Sequence, residues 1–433
     1  MIIAYIIAYI ASYLASKAGH YILSGIILIL IALALYAIDY LRTKSIVNLR
    51  GLFALGFVGG QGISCLKLSY LQTDWKNMTW LCFFFAFAMF YIIYELLLIN
   101  GKKTENRIPL VKKVKNTCCE VDCRKLFICT VALTCVSLLC FSAEACILGY
   151  IPLFVKGVPH AYSYFHISGV HYFTVSCVLV PALCVVWFFA SESETPARKI
   201  IMLICCAAAL AVPLLCVSRF QFVFAIAVAA VTFIVLKKTI PVKIILIALV
   251  ASIAAFAVLS IARSHDAEYL NSIFEMKINL PVDISRIYIY IANNYDNFDC
   301  MVKNLPAYTM GLKLLFPLFA LTGMKFVFPS LVSFPLFVTK EELTTLTLFY
   351  DFYYDFGVAG VFIGGAVIGA AARLIEALTF DREDSLMAVL YSQFALYMAL
   401  SFFTTWFSNP TTWFYFAVTL IIYFVSTKRQ SAE

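Results

Sequence analysis

The chain alternates long apolar runs with short polar breaks. Uninterrupted or nearly uninterrupted runs cover Ile2–Ser16, Tyr21–Ile38, Leu52–Leu68, Trp80–Ile99, Leu126–Leu148 and Tyr172–Ala190. Others cover Ile200–Val217, Phe220–Leu236, Ile244–Ile261, Phe352–Ala372, Ser385–Phe407 and Thr412–Val425. A hydrocarbon core of roughly 30 Å takes about 20 helical residues to cross, and most of these runs have that length. None shows the ten-residue alternation of an outer-membrane barrel strand. The pattern predicts an all-α polytopic membrane protein of about 12 transmembrane helices. It forms a single integral membrane domain over residues 1–433. The first run is short and the third carries Gln61 and Lys67, so the pattern admits from about ten to about fourteen spans.

One stretch breaks the rhythm. Residues 262–350 look non-helical and are expected to form a large outward-facing loop with short interfacial or re-entrant helices. The loop opens with Arg263, His265, Asp266 and Glu268, continues through Arg286, and then carries an aromatic and amide cluster, YIYIANNYDNF. The following GLKLLFPLFALTGMKFVFPSLVSFPLFV is apolar but interrupted by Pro317, Pro329 and Pro335 and by Lys313 and Lys325. Proline removes an internal helical hydrogen bond. Broken backbone in an apolar setting is tolerated only where protein or water satisfies it, so this segment is expected to roof a lipid-accessible cavity. Just beyond it, Asp351 and Asp355 stand four apart, a spacing that puts both on one helix face.

Composition agrees with the pattern: 63% of residues are hydrophobic, 13% are charged, and the mean hydropathy is +0.93. Soluble domains are nearer half apolar and a quarter charged. The formal charge of +8 does not point to nucleic acid, because the cations gather in alternate short loops. Those loops hold Arg42, Lys44 and Arg50, the run from Lys102 to Lys125, then Arg198 with Lys199, Lys237 to Lys243, Arg382, and Lys428 with Arg429. By the positive-inside rule both termini are cytoplasmic and the stretch after Ile261 faces outward. A site facing outward meets no free nucleotide, and the chain has neither a GxxxxGK[ST] loop nor an HExxH pair. Most of the 15 cysteines lie inside apolar runs, where cysteine acts as a small hydrophobe, so no bridges are assigned. The N-terminus lacks a basic n-region and is read as a retained helix in a multi-pass protein.

The candidate chemistry therefore faces outward. Arg219, in the tight turn VSRFQF, and Arg263 and Arg286 can grip a phosphate through paired hydrogen bonds. His265, Asp266, Glu268 or Asp355 can take a proton from a sugar hydroxyl. Tyr290, Asn294, Tyr295 and Asn297 combine ring faces with amide donors and acceptors, which suits sugars. The competing account of each is structural: a snorkelling anchor, a salt-bridge cluster, a helix cap or an interfacial aromatic belt. Glu144 either lines a cavity or sits at the interface, and His160, His166 and His171 share an outer loop without metal-site spacing.

NLRGLFALGFVGGQGISCLKLSY, VSRFQF, LSIARSHDAEYLNSIFEMK, YIYIANNYDNFDC and TTLTLFYDFYYDFGVAG together resemble the bacterial oligosaccharide repeat-unit polymerases. These are the O-antigen polymerase type within the O-antigen ligase and polymerase superfamily. The resemblance covers most of the chain in layout, through loose motifs. It implies a GT-C-like, metal-independent and cofactor-free glycosyltransferase in the bacterial plasma membrane. Such an enzyme polymerises undecaprenyl-diphosphate-linked repeat units at the outer face, for O-antigen, capsule or exopolysaccharide, with a chain-length regulator as a possible partner. Arg219 and Arg263, with Arg286 behind them, would hold the diphosphate. In related ligases a histidine precedes the acidic-Gly-x-x-Gly helix start. Asp355, Gly357 and Gly360 fit that start, but Thr344, Thr345 and Thr347 stand where the histidine would be, which argues against a ligase and leaves the base unassigned. A ligase, a polysaccharide flippase or other transporter, and a non-catalytic assembly component remain the alternatives.

Overall fold

A computed structural model describes residues 1–103, 119–155, 161–191, 194–237, 267–381 and 384–429. Among the described residues the protein is all-α apart from one short antiparallel ribbon, Cys119–Val121 with Thr427–Arg429. Among the described residues, seven helices are long and apolar enough to cross a membrane: Tyr21–Thr43, Asn77–Ile99, Cys123–Leu148, Val170–Ala190, Pro196–Leu215, Arg219–Lys237 and Tyr350–Phe380. Ile2–Lys17, Met387–Ala399 and Pro410–Ser426 are shorter apolar helices. The expected span at 244–261 lies outside the described residues. The protein is thus an α-helical membrane protein, and its chain folds as two compact units.

The first unit comprises Met1–Arg107, His265–Leu374 and Tyr397–Thr412. Here the polar third run becomes intelligible. Leu49–Phe53, the π-turn Ala54–Gly59 and Gly60–Cys65 follow one another, with Gln61 and Ser64 fully buried against protein. A side chain at Gly25 would put its Cβ 2.6 Å from the Gly62 carbonyl, so two backbones meet through small residues. A Cβ at Gly365 would lie 2.7 Å from the Ala86 carbonyl, and Gly369 meets the Phe90 carbonyl one turn on. That pair seats the Tyr350–Glu376 helix on Asn77–Lys103. Arg50, expected in a polar loop, is instead 5% exposed. Its Nε donates to Asp39 Oδ2 at 2.8 Å, its NH1 group meets Glu95, and its guanidinium lies 5.0 Å and 5.2 Å from the rings of Tyr91 and Tyr94.

The non-helical expectation for 262–350 is corrected. Val282–Asn304 is a helix of 23 residues, and every residue from Ala292 to Asp299 is buried. Apolar periodicity hid it because polar and apolar faces are both inside. Asp296 collects Lys67 Nζ at 2.6 Å, Trp75 Nε1 at 2.7 Å, Gln72 Nε2 at 2.8 Å and Ser64 Oγ at 3.1 Å. Asp299 accepts from Thr79 Oγ1 at 2.6 Å and the Lys76 N–H at 2.8 Å. Burial pushes the Tyr288 phenol up, so it stays protonated, donating to Gln72 Oε1 at 2.6 Å while accepting from the Leu68 N–H at 2.9 Å. The expected helix through Phe407 also differs: it stops at Ala399, turns follow over 400–403, and Trp406–Ser408 form a short 3-10 helix. The Ser401 carbonyl accepts from the Leu348 N–H at 2.9 Å and the Phe402 carbonyl from Asn294 Nδ2 at 2.6 Å, which satisfies backbone outside the helix.

The second unit comprises Ile108–Ser264, Ile375–Leu396 and Trp413–Glu433. Val170–Ala190 is its core helix, with 72% of its most apolar window buried. Tyr415 donates to the Val175 carbonyl at 3.1 Å, Thr232 Oγ1 meets Ser392 Oγ at 2.9 Å, and Gln393 Nε2 donates to Thr419 Oγ1 at 2.8 Å. Glu144 is fully buried near the end of Cys123–Leu148. It accepts from Thr174 Oγ1 at 2.7 Å and the Ile167 N–H at 3.0 Å, and pairs with His171 Nδ1 at 3.1 Å. It fastens the 167–174 segment near the end of its helix. The tight turn is present, with only Cys216–Ser218 between Pro196–Leu215 and Arg219–Lys237.

Candidate functional site

The site forms in the first unit, around a break in the Tyr350–Glu376 helix. Gly357 has φ 61° and ψ −144°, and a Cβ there would lie 2.6 Å from the Tyr308 hydroxyl. Only glycine takes this conformation without strain. At the break the carbonyls of Tyr354 and Asp355 accept from the N–H groups of Thr309 at 3.2 Å and Met310 at 3.1 Å. The Asp355 carboxylate completes the clasp. It is fully buried, accepts from Thr309 Oγ1, and takes the N–H groups of Lys313 at 3.1 Å and Leu314 at 2.8 Å. Asp355 therefore holds a loop and has no face toward a substrate, which corrects its expected role as a proton acceptor.

Asp351 shares that helix face, as the spacing predicts, but does something different. Its Oδ2 accepts from Ser408 Oγ, and its Oδ1 lies 3.5 Å from Lys313 Nζ without a hydrogen bond of its own. The Lys313 ammonium also sits 5.0 Å from the Tyr354 ring centroid. This pair lines a cavity of about 320 Å³. Thr405, Ser408 and Asn409 supply further polar lining; Phe316, Val332 and Phe334, from the proline-broken segment, supply an apolar wall. A few convergent polar groups against an apolar wall in a space of this size is the usual form of a small-molecule site.

The other expected site residues fall elsewhere. Asn297 has its amide spent on the carbonyls of Leu343 at 2.7 Å and Thr345 at 2.9 Å, while its Oδ1 takes the Thr339 N–H at 2.8 Å. Asn294 Nδ2 is spent on the Phe402 and Tyr290 carbonyls, both at 2.6 Å. Tyr295 is fully buried, donating to the Phe57 carbonyl at 2.6 Å. These three pin loops to the central helix, so their expected sugar contacts are corrected: no polar atom of theirs is left facing outward. Tyr290 is 43% exposed and Arg286, one helical turn before it, lies 3.4 Å from the exposed Asp283. Arg219 opens a helix of the second unit. Arg263, His265 and Asp266 lie outside the described residues, as does the side chain of Glu268.

Sequence reasoning noted Lys313 only as an interruption and missed Thr405, Ser408 and Asn409 altogether. The available signals were a lone lysine in GLKLLFPLF and the polar tract TTWFSNP beside a proline helix start. No family model matches the chain, and no curated protein or solved structure matches it either.

Proposed function

We propose that this protein is a membrane glycosyltransferase that polymerises oligosaccharide repeat units carried on undecaprenyl diphosphate, at the outer face of a bacterial plasma membrane. The observation that carries the reading is the Lys313–Asp351 pair in a cavity walled by the proline-broken segment. Lys313 supplies positive charge where a diphosphate leaves, and Asp351 supplies a carboxylate for the acceptor hydroxyl. Three events balance the transfer. The hydroxyl proton passes to Asp351, the hydroxyl oxygen bonds the anomeric carbon, and the bond from that carbon to the diphosphate breaks, its electron pair leaving with the diphosphate. The apolar wall suits a lipid-borne substrate, and an outward-facing cavity with both termini cytoplasmic, the orientation expected from the loop charges, belongs to this reading. A bundle of about 12 spans of the GT-C type belongs to the same proposal.

The test uses the purified full chain in lipid nanodiscs with a matched undecaprenyl-diphosphate repeat unit. The intact chain should give a ladder of lipid-linked oligomers, and Asp351→Asn and Lys313→Met, verified as folded, should lose it. The absence of a ladder from the intact chain with verified substrate overturns polymerisation. A ladder that survives both substitutions keeps the activity and removes this cavity from it. Arg219→Ala and Arg263→Ala, in the same assay, decide whether the arginines expected from the sequence contribute.

A further inference from the structure

The pair is built as a latch. Asp351 has one oxygen fixed by Ser408 and one oxygen that is buried, without a hydrogen bond, beneath the Lys313 ammonium. Lys313 is held differently at its two ends. Its backbone N–H is fixed by Asp355 at 3.1 Å, whereas its ammonium reaches Asp351 only at 3.5 Å, and the side chain is 20% exposed. Lys313 is also the one cation lining the cavity among the described residues. A long, partly exposed pair is a weak one, and a flexible lysine stem lets the ammonium swing while the backbone stays fixed.

We propose that an incoming phosphate or diphosphate group takes Lys313 from Asp351, uncovering Asp351 Oδ1 only when the anion is in place. The carboxylate is shielded by an ammonium in the empty cavity and becomes a free acceptor in the filled one. Donor binding and readiness to take a proton are thereby coupled through a single side chain. A ligand can shift such an equilibrium only through its differential affinity, and here that difference is the charge on Lys313. The coupling to proton transfer rests on the proposed function, but the anion latch stands on the geometry alone.

The latch makes a prediction opposite to that of a purely structural pair. Neutralising Asp351 removes the internal competitor for Lys313, so Asp351→Asn should bind anion more tightly even as it loses transfer. The measurement is equilibrium binding of inorganic diphosphate to the full chain in nanodiscs of zwitterionic lipid, with undecaprenyl diphosphate as competitor. Asp351→Asn should tighten binding roughly fivefold, the equivalent of one weak ion pair. Lys313→Met, alone or combined with Asp351→Asn, should abolish it, and Lys313→Arg should retain it. Unchanged or weaker binding in a folded Asp351→Asn variant overturns the latch, as does binding that survives Lys313→Met. Competition by undecaprenyl diphosphate supports a lipid headgroup as the occupant. Tightening without such competition keeps the latch for a free anion and counts against the polymerase reading, so the two fail separately.

Discussion

Lys67→Met tests whether the central helix is held by its buried charge. The substitution keeps length and apolar stem but removes the ammonium 2.6 Å from Asp296, where the two side chains are 5% and 2% exposed. It also removes the cation lying 4.1 Å from the Trp75 ring. Asp296 keeps Trp75, Gln72 and Ser64 as neutral donors, but a buried carboxylate without its counter-charge is costly; breaking such a pair from one side loses about 3–5 kcal/mol. For a unit of this size that is a fall in melting temperature of roughly 6–20 °C. Cys65, two residues away, is 1% exposed, so in a chain whose other cysteines are replaced by serine a thiol-reactive fluorogenic dye reports the opening of this region. Lys67→Met/Asp296→Asn should recover part of the loss, because an amide at 296 no longer needs a cation. A Lys67→Met chain that melts within about 2 °C of the intact protein would refute the argument, and so would a double variant that falls below the intact protein by the sum of the two single losses.

Gly357→Ala should destabilise by more than the roughly 1–3 kcal/mol of a sparsely populated backbone conformation, because its methyl also meets Tyr308; Tyr308→Ala in the same chain should recover the steric part in a detergent melt. Asp355→Ala leaves two backbone N–H groups and a threonine hydroxyl without this acceptor, at a cost of about 1–3 kcal/mol for each group that stays unpaired. It should weaken diphosphate binding by displacing Lys313, whereas Asp351→Asn strengthens it, and the binding assay separates the two aspartates. Glu144→Ala should free the 167–174 segment in the second unit, read as faster chymotrypsin cleavage at Tyr164, which is 71% exposed. Arg50→Lys, which cannot bind Asp39 through two nitrogens and reach Glu95 as well, should lower the melting temperature even though charge is kept.

The class of protein was legible because it depends on composition and run length, which a bilayer imposes directly. The break at Pro317 was legible because proline marks it, whereas the one at Gly357 falls inside a run expected to be one continuous helix, Phe352–Ala372. The Val282–Asn304 helix was not, because periodicity assumes that polar residues face out. Asn293, Asn294, Asp296, Asn297 and Asp299 are all buried, and each has a partner more than 40 residues away in sequence, such as Lys67 or Thr339. The same blindness displaced the site. An aromatic and amide cluster has the composition of a sugar platform and equally of a polar core, and the choice lies in which carbonyls lie opposite.

That displacement has a physical logic. Asn294 ties the central helix to the Phe402 carbonyl, and Asn297 ties it to the Leu343 and Thr345 carbonyls. The first tether lies three residues before Thr405 and the second three residues before Leu348, whose N–H holds Ser401. The residues read as contacts thus hold the turns that carry Thr405, Ser408 and Asn409 to the cavity wall. Asp355 does the same for Lys313. Amides and carboxylates spent on backbone give up ligand contact, and in exchange they fix the few groups that face the cavity. Asn297→Ala should therefore loosen the cavity without touching it: diphosphate affinity should fall while the Lys313→Arg rescue pattern is kept. If Asn297→Ala leaves affinity unchanged in a folded chain, the hub supports stability alone and the cavity is shaped by the Asp355 clasp.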